Sequence, residues 1–136
     1  MLNNTFKDAF KDSFILSTEM DFSASHVLHG HTGKCGRLHG HNWKVEVLAR
    51  TEVLNSIGIG IDFQDLKSAL RPIIDYLDHY HLNDLPEFQT QNPTAENVSK
   101  YIYWALRKNL PPEIQLDAVT LWETDRSSVC YRPIFS

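Results

Sequence analysis

Two stretches of alternating hydrophobicity constrain the fold of this chain more than any other feature. The first ends at a histidine, and the second begins at one. They span 14–26 and 39–50. The side chains that share one parity are Phe14, Leu16, Met20, Phe22, Ala24 and His26 in the first, and His39, His41, Trp43, Val45, Val47 and Ala49 in the second. Such alternation is typical of half-buried β-strands. A loop at 27–38 with three glycines joins them, so the sequence predicts an antiparallel hairpin.

The rest of the chain predicts two helices followed by two more strands. Asp62 can cap a helix that runs to Leu77, because apolar residues repeat there at i, i+3 and i+4. Thr94 can cap a second helix, and further strands are predicted at 114–124 and 129–132. Two helices on one face of a four-stranded antiparallel sheet give an α+β fold. The open edges of such a sheet favour association with other copies.

Length and composition narrow the class of protein. The 136 residues suit one compact domain, predicted at 14–136 behind an N-terminal extension at 1–13. No apolar run approaches the roughly 20 residues of a membrane span, and the N-terminus lacks the apolar core of a signal peptide. We therefore expect a soluble, cytoplasmic protein. The net charge of −4 disfavours nucleic-acid binding.

Three histidines are in phase on the predicted hairpin. His39 and His41 stand at i and i+2 of a strand, where side chains point the same way about 7 Å apart, and His26 ends the partner strand with matching parity. Three histidines with one open position are a catalytic zinc arrangement. From these residues alone, the alternative is that the histidines merely line a polar face of the sheet. His29 and His31 repeat the spacing as rival ligands, but they lie in the glycine-containing loop.

Cys35 leaves two kinds of zinc site open. As a fourth ligand it would close a structural site, and as a free thiolate it would serve as a nucleophile or base beside the metal. Lys34 and Arg37 flank it, and nearby cations favour the thiolate. The other cysteine, Cys130, lies in a predicted strand, where we expect an inert thiol. With only two cysteines, free thiols are expected rather than a disulfide scaffold.

A further set of short motifs is distributed along nearly the whole chain, from about residue 14 to residue 133. The motifs are Phe22-x-Ala24-x-His26, Cys35-Gly36-Arg37-Leu38-His39-Gly40-His41, Ile61-Asp62-Phe63, Leu77-Asp78-His79, Leu82-Asn83-Asp84, Asn92-Pro93-Thr94-Ala95-Glu96-Asn97 and Glu123-Thr124. Together they resemble the 6-pyruvoyl-tetrahydropterin synthase family. Only three residues separate Cys35 from His39. That short spacing resembles the bacterial branch, the 6-carboxy-5,6,7,8-tetrahydropterin synthases of queuosine biosynthesis, whereas the biopterin-forming branch typically has a longer insert.

The resemblance implies a site, a fold and a reaction. The implied site residues are His26, His39 and His41 for Zn²⁺, Cys35 as the catalytic thiolate, Asp78 and His79 as a coupled proton relay, and Glu123 with Thr94 at the pterin ring. The implied fold is the tunnelling fold, in which sheets of several subunits join into a barrel, with a hexamer as the first expectation and active sites between subunits. The implied enzyme is a lyase that converts 7,8-dihydroneopterin triphosphate to 6-carboxy-tetrahydropterin, acetaldehyde and triphosphate.

Other readings of the same residues stay open at this point. The product could instead be the pyruvoyl compound formed by triphosphate elimination, or the chain could be a structural zinc protein with Cys35 as fourth ligand. Asp78 and His79 could simply cap the end of the first helix, where a cationic histidine is favoured. Glu123 lies in an apolar strand and needs a partner there, which could be a ligand or one of the arginines at 126 and 132.

Overall fold

Five β-strands and two α-helices make up the fold in the computed structural model, which describes residue 6 and residues 8–135. The strands are β1 (Phe14–His26), β2 (His39–Thr51), β3 (Tyr80–His81), β4 (Gln115–Thr124) and β5 (Ser127–Tyr131), and the helices are α1 (Phe63–Leu77) and α2 (Ala95–Asn109). Short 3-10 turns occur at Lys34–Gly36, Leu82–Asp84 and Pro86–Phe88. The predicted α+β class and the order of the longer elements are confirmed.

The sheet has the strand order β3-β1-β2-β4-β5, so the prediction of four strands was one short. β1 and β2 form the predicted antiparallel hairpin, with His26 opposite His39. The added strand, β3, runs parallel to β1 and is two residues long, pairing Tyr80 with Ala24 and His81 with Ser25. Two residues are too few to show a hydrophobic period, which is why the sequence pattern could not predict this strand.

The hydrophobic core lies between one face of the sheet and the two helices. From β2, Trp43, Val45 and Val47 are fully buried, and the helices contribute a stripe that includes Leu66, Leu70, Val98, Ile102 and Leu106. Fully burying such a side chain contributes about 1.5–3 kcal/mol each. In β1 and β2 the residues that alternate with the buried ones are more exposed, as expected for strands with one buried face. The face that buries the apolar residues is therefore also the face onto which the three histidines of β1 and β2 project.

Both helix starts are capped by the side chains that the sequence indicated. The Asp62 carboxylate accepts a hydrogen bond from the Gln64 N–H at 2.8 Å, and the Thr94 hydroxyl oxygen accepts one from the Asn97 N–H at 3.1 Å. Each cap satisfies a backbone donor that the first helical turn leaves without a partner. α1 ends at Leu77, so that Asp78 becomes its C-terminal capping residue.

Several predictions are not decided by this fold. The predicted N-terminal extension at 1–13 falls partly outside the described residues, and the domain division stays a prediction. The assembly of sheets into a barrel also stays a prediction, since one chain is present. Neither cysteine forms a disulfide, as expected. No helix within the described part of the chain combines the length and apolar character needed to cross a membrane.

Candidate metal centre

The hairpin register brings three imidazoles to one place on the core face. His26 pairs with His39 across β1 and β2, and His41 follows two residues later on the same face. The Nε2 atoms of His26 and His39 are 2.9 Å apart, and the His41 ring centroid lies 4.8 Å from that of His39. Glu123, near the end of β4, completes the group. Its carboxylate and the three imidazoles offer ligand atoms that all lie within 4.8 Å of one another.

The outer nitrogens of two of these rings are fixed by backbone carbonyls. His26 Nδ1 lies 2.8 Å from the Pro93 carbonyl oxygen, and His39 Nδ1 lies 2.7 Å from that of Arg37. A carbonyl can only accept, so each Nδ1 carries the proton, and in the neutral ring each Nε2 presents a lone pair. Two lone pairs facing each other at 2.9 Å repel unless a cation lies between them. Metal-binding histidines usually donate their other ring N–H to a group such as a backbone carbonyl, as His26 and His39 do here. This donor set therefore fits a metal ion.

His41 supplies a second observation that fits a metal ion. Its Nε2 is buried and makes no hydrogen bond. The atom does lie 3.1 Å from Glu123 Oε1, but the contact lacks hydrogen-bond geometry, so we treat it as an electrostatic contact only. A buried ring nitrogen without a partner costs about 1–3 kcal/mol. Coordination of a metal ion would use this lone pair and remove that cost.

Burial also keeps the imidazoles in the protonation state that metal binding needs. It lowers the pKa of His26 from its ordinary value, because the cationic form is poorly solvated at this fully buried position. Burial likewise lowers the pKa of His41, against the opposing attraction of the Glu123 carboxylate. Both rings are therefore neutral near pH 7, as ligands must be.

The turn after α1 forms a second polar constellation. The Asp78 carboxylate accepts a hydrogen bond from the Ser23 N–H at 2.8 Å, and its other oxygen lies 2.9 Å from His79 Nδ1. The Ser23 hydrogen bond, followed by that of His79, lowers the pKa of Asp78. His79 has a φ of 60°, and its N–H donates to the Ser23 carbonyl at 2.6 Å. A non-glycine residue in this left-handed region is strained, and such strain is concentrated at functional sites.

An open cavity borders one member of each constellation. It has a volume of 440 Å³, and both His41 and His79 line it. Ser25 and His81 lie on the same wall, with Ser25 Oγ 3.0 Å from His81 Nδ1. No feature of the sequence predicted this serine–histidine contact. It depends on β3, for which the sequence carries no periodic signal.

Comparison with known proteins assigns the chain to a family. The family model of 6-pyruvoyl tetrahydropterin synthase matches residues 15–133. The chain belongs to the 6-pyruvoyl tetrahydropterin synthase family. The predicted resemblance is thereby confirmed.

Relatives within the family carry more than one activity. A 6-carboxy-5,6,7,8-tetrahydropterin synthase from Synechocystis is 35% identical over 87% of this chain and 92% of its own length. The 6-pyruvoyl tetrahydrobiopterin synthase of Homo sapiens is 36% identical over 86% of this chain and 90% of its own. The Caenorhabditis elegans 6-pyruvoyl tetrahydropterin synthase structure matches with a TM-score of 0.83 and 30% identity, covering 92% of this chain and 99% of that one. Overall identity therefore does not decide the product.

Cys35 and Thr94 lie apart from the cavity wall. Cys35 occupies the turn Lys34–Gly36 and is partly buried; among the described residues the metal-ligand group contains Glu123 and not this thiol. Thr94 is the capping residue of α2, next to the proline whose carbonyl orients His26. The rival ligands His29 and His31 are exposed and also lie outside the group.

The contact of Glu123 with His41 was not anticipated from the sequence. Pairing with Arg132 was one alternative, but that arginine binds Asp117 at 2.6 Å. The usable signal was parity, because Glu123 shares its face of β4 with the buried Leu121 and Val119. That face packs in the core with the histidine face of β2. A carboxylate that continues this stripe is therefore directed to the same face of the sheet as the histidines.

Proposed function

We propose that this chain is a zinc-dependent 6-carboxy-5,6,7,8-tetrahydropterin synthase of queuosine biosynthesis. Its reaction converts 7,8-dihydroneopterin triphosphate and one water molecule to 6-carboxy-tetrahydropterin, acetaldehyde and triphosphate. The observation that carries the proposal is the pair of carbonyl-oriented imidazoles whose Nε2 atoms face each other at 2.9 Å. The short spacing between Cys35 and His39 supports the carboxy-forming product.

The metal ligands in this proposal are His26, His39 and His41. Imidazole nitrogens are borderline donors that suit zinc, and three of them leave a position for substrate. Zinc bound there would act as a Lewis acid on the side-chain oxygens of the substrate. The protein's own contribution is to present three imidazoles on one face of the hairpin, two of them oriented by backbone carbonyls.

Proton transfer is assigned to Cys35 and to the pair Asp78 and His79. Cys35, as the thiolate that is the reactive form of a cysteine, removes a carbon-bound proton from the substrate side chain. His79 delivers or accepts a second proton. Asp78, at 2.9 Å from His79 Nδ1, fixes the orientation of the imidazole.

Pterin recognition is assigned to Glu123 with help from Thr94. A carboxylate accepts hydrogen bonds from a ring amino group and a ring N–H, and it discriminates against rings that lack those donors. Glu123 lies beside His41, so a pterin held there would carry its side chain toward the metal. In this proposal Thr94 assists pterin binding while keeping its role as the cap of α2.

We further propose that the site is completed by other copies of the chain. The His79 side chain is 81% exposed, and an exposed, strained general acid is expected to face a partner surface. β3 and β5 are the edges of the sheet, and edge strands favour pairing between subunits. A hexamer whose sheets form a barrel is the arrangement proposed, in the cytoplasm.

The decisive experiment is product analysis with 7,8-dihydroneopterin triphosphate, with zinc and after zinc removal. The expected result is acetaldehyde and 6-carboxy-tetrahydropterin in equal amounts, lost on chelation and restored by zinc. A pyruvoyl product without acetaldehyde would assign the alternative pterin synthase activity instead, to which the human relative's name points.

A structural zinc protein is the other alternative, and Cys35→Ala separates it from the enzyme. The enzyme proposal expects zinc content to stay at the wild-type value while turnover disappears. Loss of zinc together with the fold in this variant would assign Cys35 as the fourth ligand. Cys130→Ala, at the exposed second cysteine, is the matched control and should change neither.

A further inference from the structure

Two asparagine side chains from a distant part of the chain hold the start of the loop that carries Cys35. Asn83 Oδ1 accepts the Val27 N–H at 2.9 Å, and its Nδ2 donates to the Val27 carbonyl at 2.9 Å. Asn92 makes the same pair of hydrogen bonds with His29. Its Oδ1 accepts the His29 N–H at 2.9 Å, and its Nδ2 donates to the His29 carbonyl at 2.8 Å. Each amide makes the two hydrogen bonds that a residue of a neighbouring strand would make. The asparagines thus continue the pairing of β1 at alternate residues beyond its end.

Both asparagines are themselves fixed to the folded core. Asn83 belongs to the 3-10 turn Leu82–Asp84, whose Leu82 is fully buried. The Asn92 carbonyl accepts a hydrogen bond from the Asn97 side chain at 2.8 Å, in the first turn of α2. The next residue, Pro93, gives its carbonyl to the candidate metal ligand His26. The points that hold the loop are therefore in rigid connection with the metal centre.

The held segment is bonded directly to the cysteine turn. Leu28, between the two clamped residues, donates its N–H to the Cys35 carbonyl at 3.0 Å. On the far side of the turn, a Cβ at Gly36 would lie 2.4 Å from the His31 carbonyl oxygen, so the loop closes on itself through a position that only glycine fits. The position of Cys35 thus follows the position of residues 27–29.

We infer that Asn83 and Asn92 are positioning residues that hold the Cys35 thiol in register with the metal centre. The inference rests on the proposed function in taking Cys35 as the catalytic base. A loop with three glycines has many accessible conformations, and fixing one of them costs conformational entropy. The four side-chain hydrogen bonds offset that cost.

The test uses Asn83→Ala, Asn92→Ala and the double variant of the zinc-loaded, full-length protein. Because a displaced base slows the chemical step, kcat should fall roughly 10–100-fold in each single variant, and further in the double variant. KM and zinc content should stay at wild-type values, since pterin and metal ligands are untouched. Asn109→Ala is the matched control, because it removes one exposed hydrogen bond to Ala69 far from the loop, and its kcat should equal that of wild type.

A readout independent of turnover is the rate at which iodoacetamide alkylates Cys35, followed by mass spectrometry with the exposed Cys130 as internal reference. Loosening the loop should change the Cys35 rate in both asparagine variants and leave the Cys130 rate unchanged. If wild-type protein gives no turnover, the proposed function fails. The ratio of the Cys35 and Cys130 alkylation rates still tests whether the two asparagines hold the loop.

Three results would overturn the inference. Unchanged kcat with an unchanged alkylation ratio would show that the amides position nothing. Loss of zinc in proportion to kcat would place their effect on the metal ligands instead. If the alanine variants do not fold, hydrogen exchange of the wild-type protein tests the inference instead. The Val27 and His29 N–H groups should be protected, because they donate to Asn83 and Asn92. Exchange of both at free-loop rates would end the proposal.

Discussion

The histidine cluster and the Asp78–His79 turn both attach to the last residues of β1, yet they are built in opposite ways. The cluster lies on the core face, where His26 is fully buried and the ligand atoms are within 4.8 Å of one another. The turn is bonded to Ser23, of opposite parity, and its His79 side chain is 81% exposed. One chain can therefore build the metal centre by itself. The Asp78–His79 turn, to which we assign proton transfer, is directed away from the core.

The largest expected effect comes from removing a metal ligand. His39→Ala should abolish stoichiometric zinc binding and all turnover, because two imidazoles cannot hold the ion as three do. The loss of zinc affinity should exceed the roughly 10–100-fold that results when a hydrogen-bond partner of a metal ligand is removed. Metal analysis after gel filtration measures it. His29→Ala, at an exposed histidine outside the group, is the control and should keep its zinc. A His39→Ala protein that still binds one zinc per chain would contradict the assignment of the metal centre to the histidine cluster.

The second effect separates chemistry from metal binding. His79→Ala should lower kcat by roughly 10²–10⁴-fold, the usual contribution of a general acid or base, and leave zinc content unchanged. Asp78→Asn should lower kcat by a smaller factor, since it removes the charge beside His79 Nδ1 while keeping the Ser23 contact. Steady-state kinetics with parallel metal analysis measures both. A His79→Ala protein with wild-type kcat would contradict the assigned role.

The long elements of this fold could be predicted from sequence, whereas the contacts between distant segments could not. Alternation gave β1 its observed bounds, and Asp62 and Thr94 cap the two helices as predicted. β3 could not be predicted because its two residues pair through a parallel register that local patterns do not encode. The same holds for the asparagine contacts with the loop, which span 56 and 63 residues.

Among the site residues, the three histidines were predictable because parity along a hairpin is a local property. That Glu123 meets His41 depends on the β2–β4 register, which includes a shift between Leu48 and Ala49. The placement of Cys35 apart from the ligand group depends on a loop whose path is set by distant side chains. The sequence therefore indicates which residues belong to the candidate site, but it does not indicate how far apart they lie.

A third effect tests whether Thr94 acts beyond its helix cap. Thr94→Ala should lower the free energy of unfolding by about 1 kcal/mol, the usual cost of losing an N-cap. Chemical denaturation measures this change. Thr94→Ser keeps the hydroxyl and serves as the control. If Thr94→Ala also raises KM while Thr94→Ser does not, the hydroxyl contributes to pterin binding; an unchanged KM in both would restrict Thr94 to the cap.

The smallest expected effect is a pH dependence of the metal-free protein. Burial lowers the folded-state pKa of His26 below its ordinary 6.5, so the unfolded chain takes up the proton first as the pH falls. Stability is therefore full above about pH 6.5 and declines as the pH falls below that value toward the lowered folded pKa. Thermal unfolding between pH 7.5 and 5.5 measures the decline. A metal-free protein that gains stability over this acid range would contradict the burial argument.

X-ray absorption at the zinc edge of the loaded, substrate-free protein tests the metal centre most directly. One zinc per chain with only nitrogen and oxygen neighbours, at about 2.0–2.1 Å, is the result expected from ligation by His26, His39 and His41. A sulfur neighbour at about 2.3 Å would instead place a cysteine on the metal and contradict the open catalytic site.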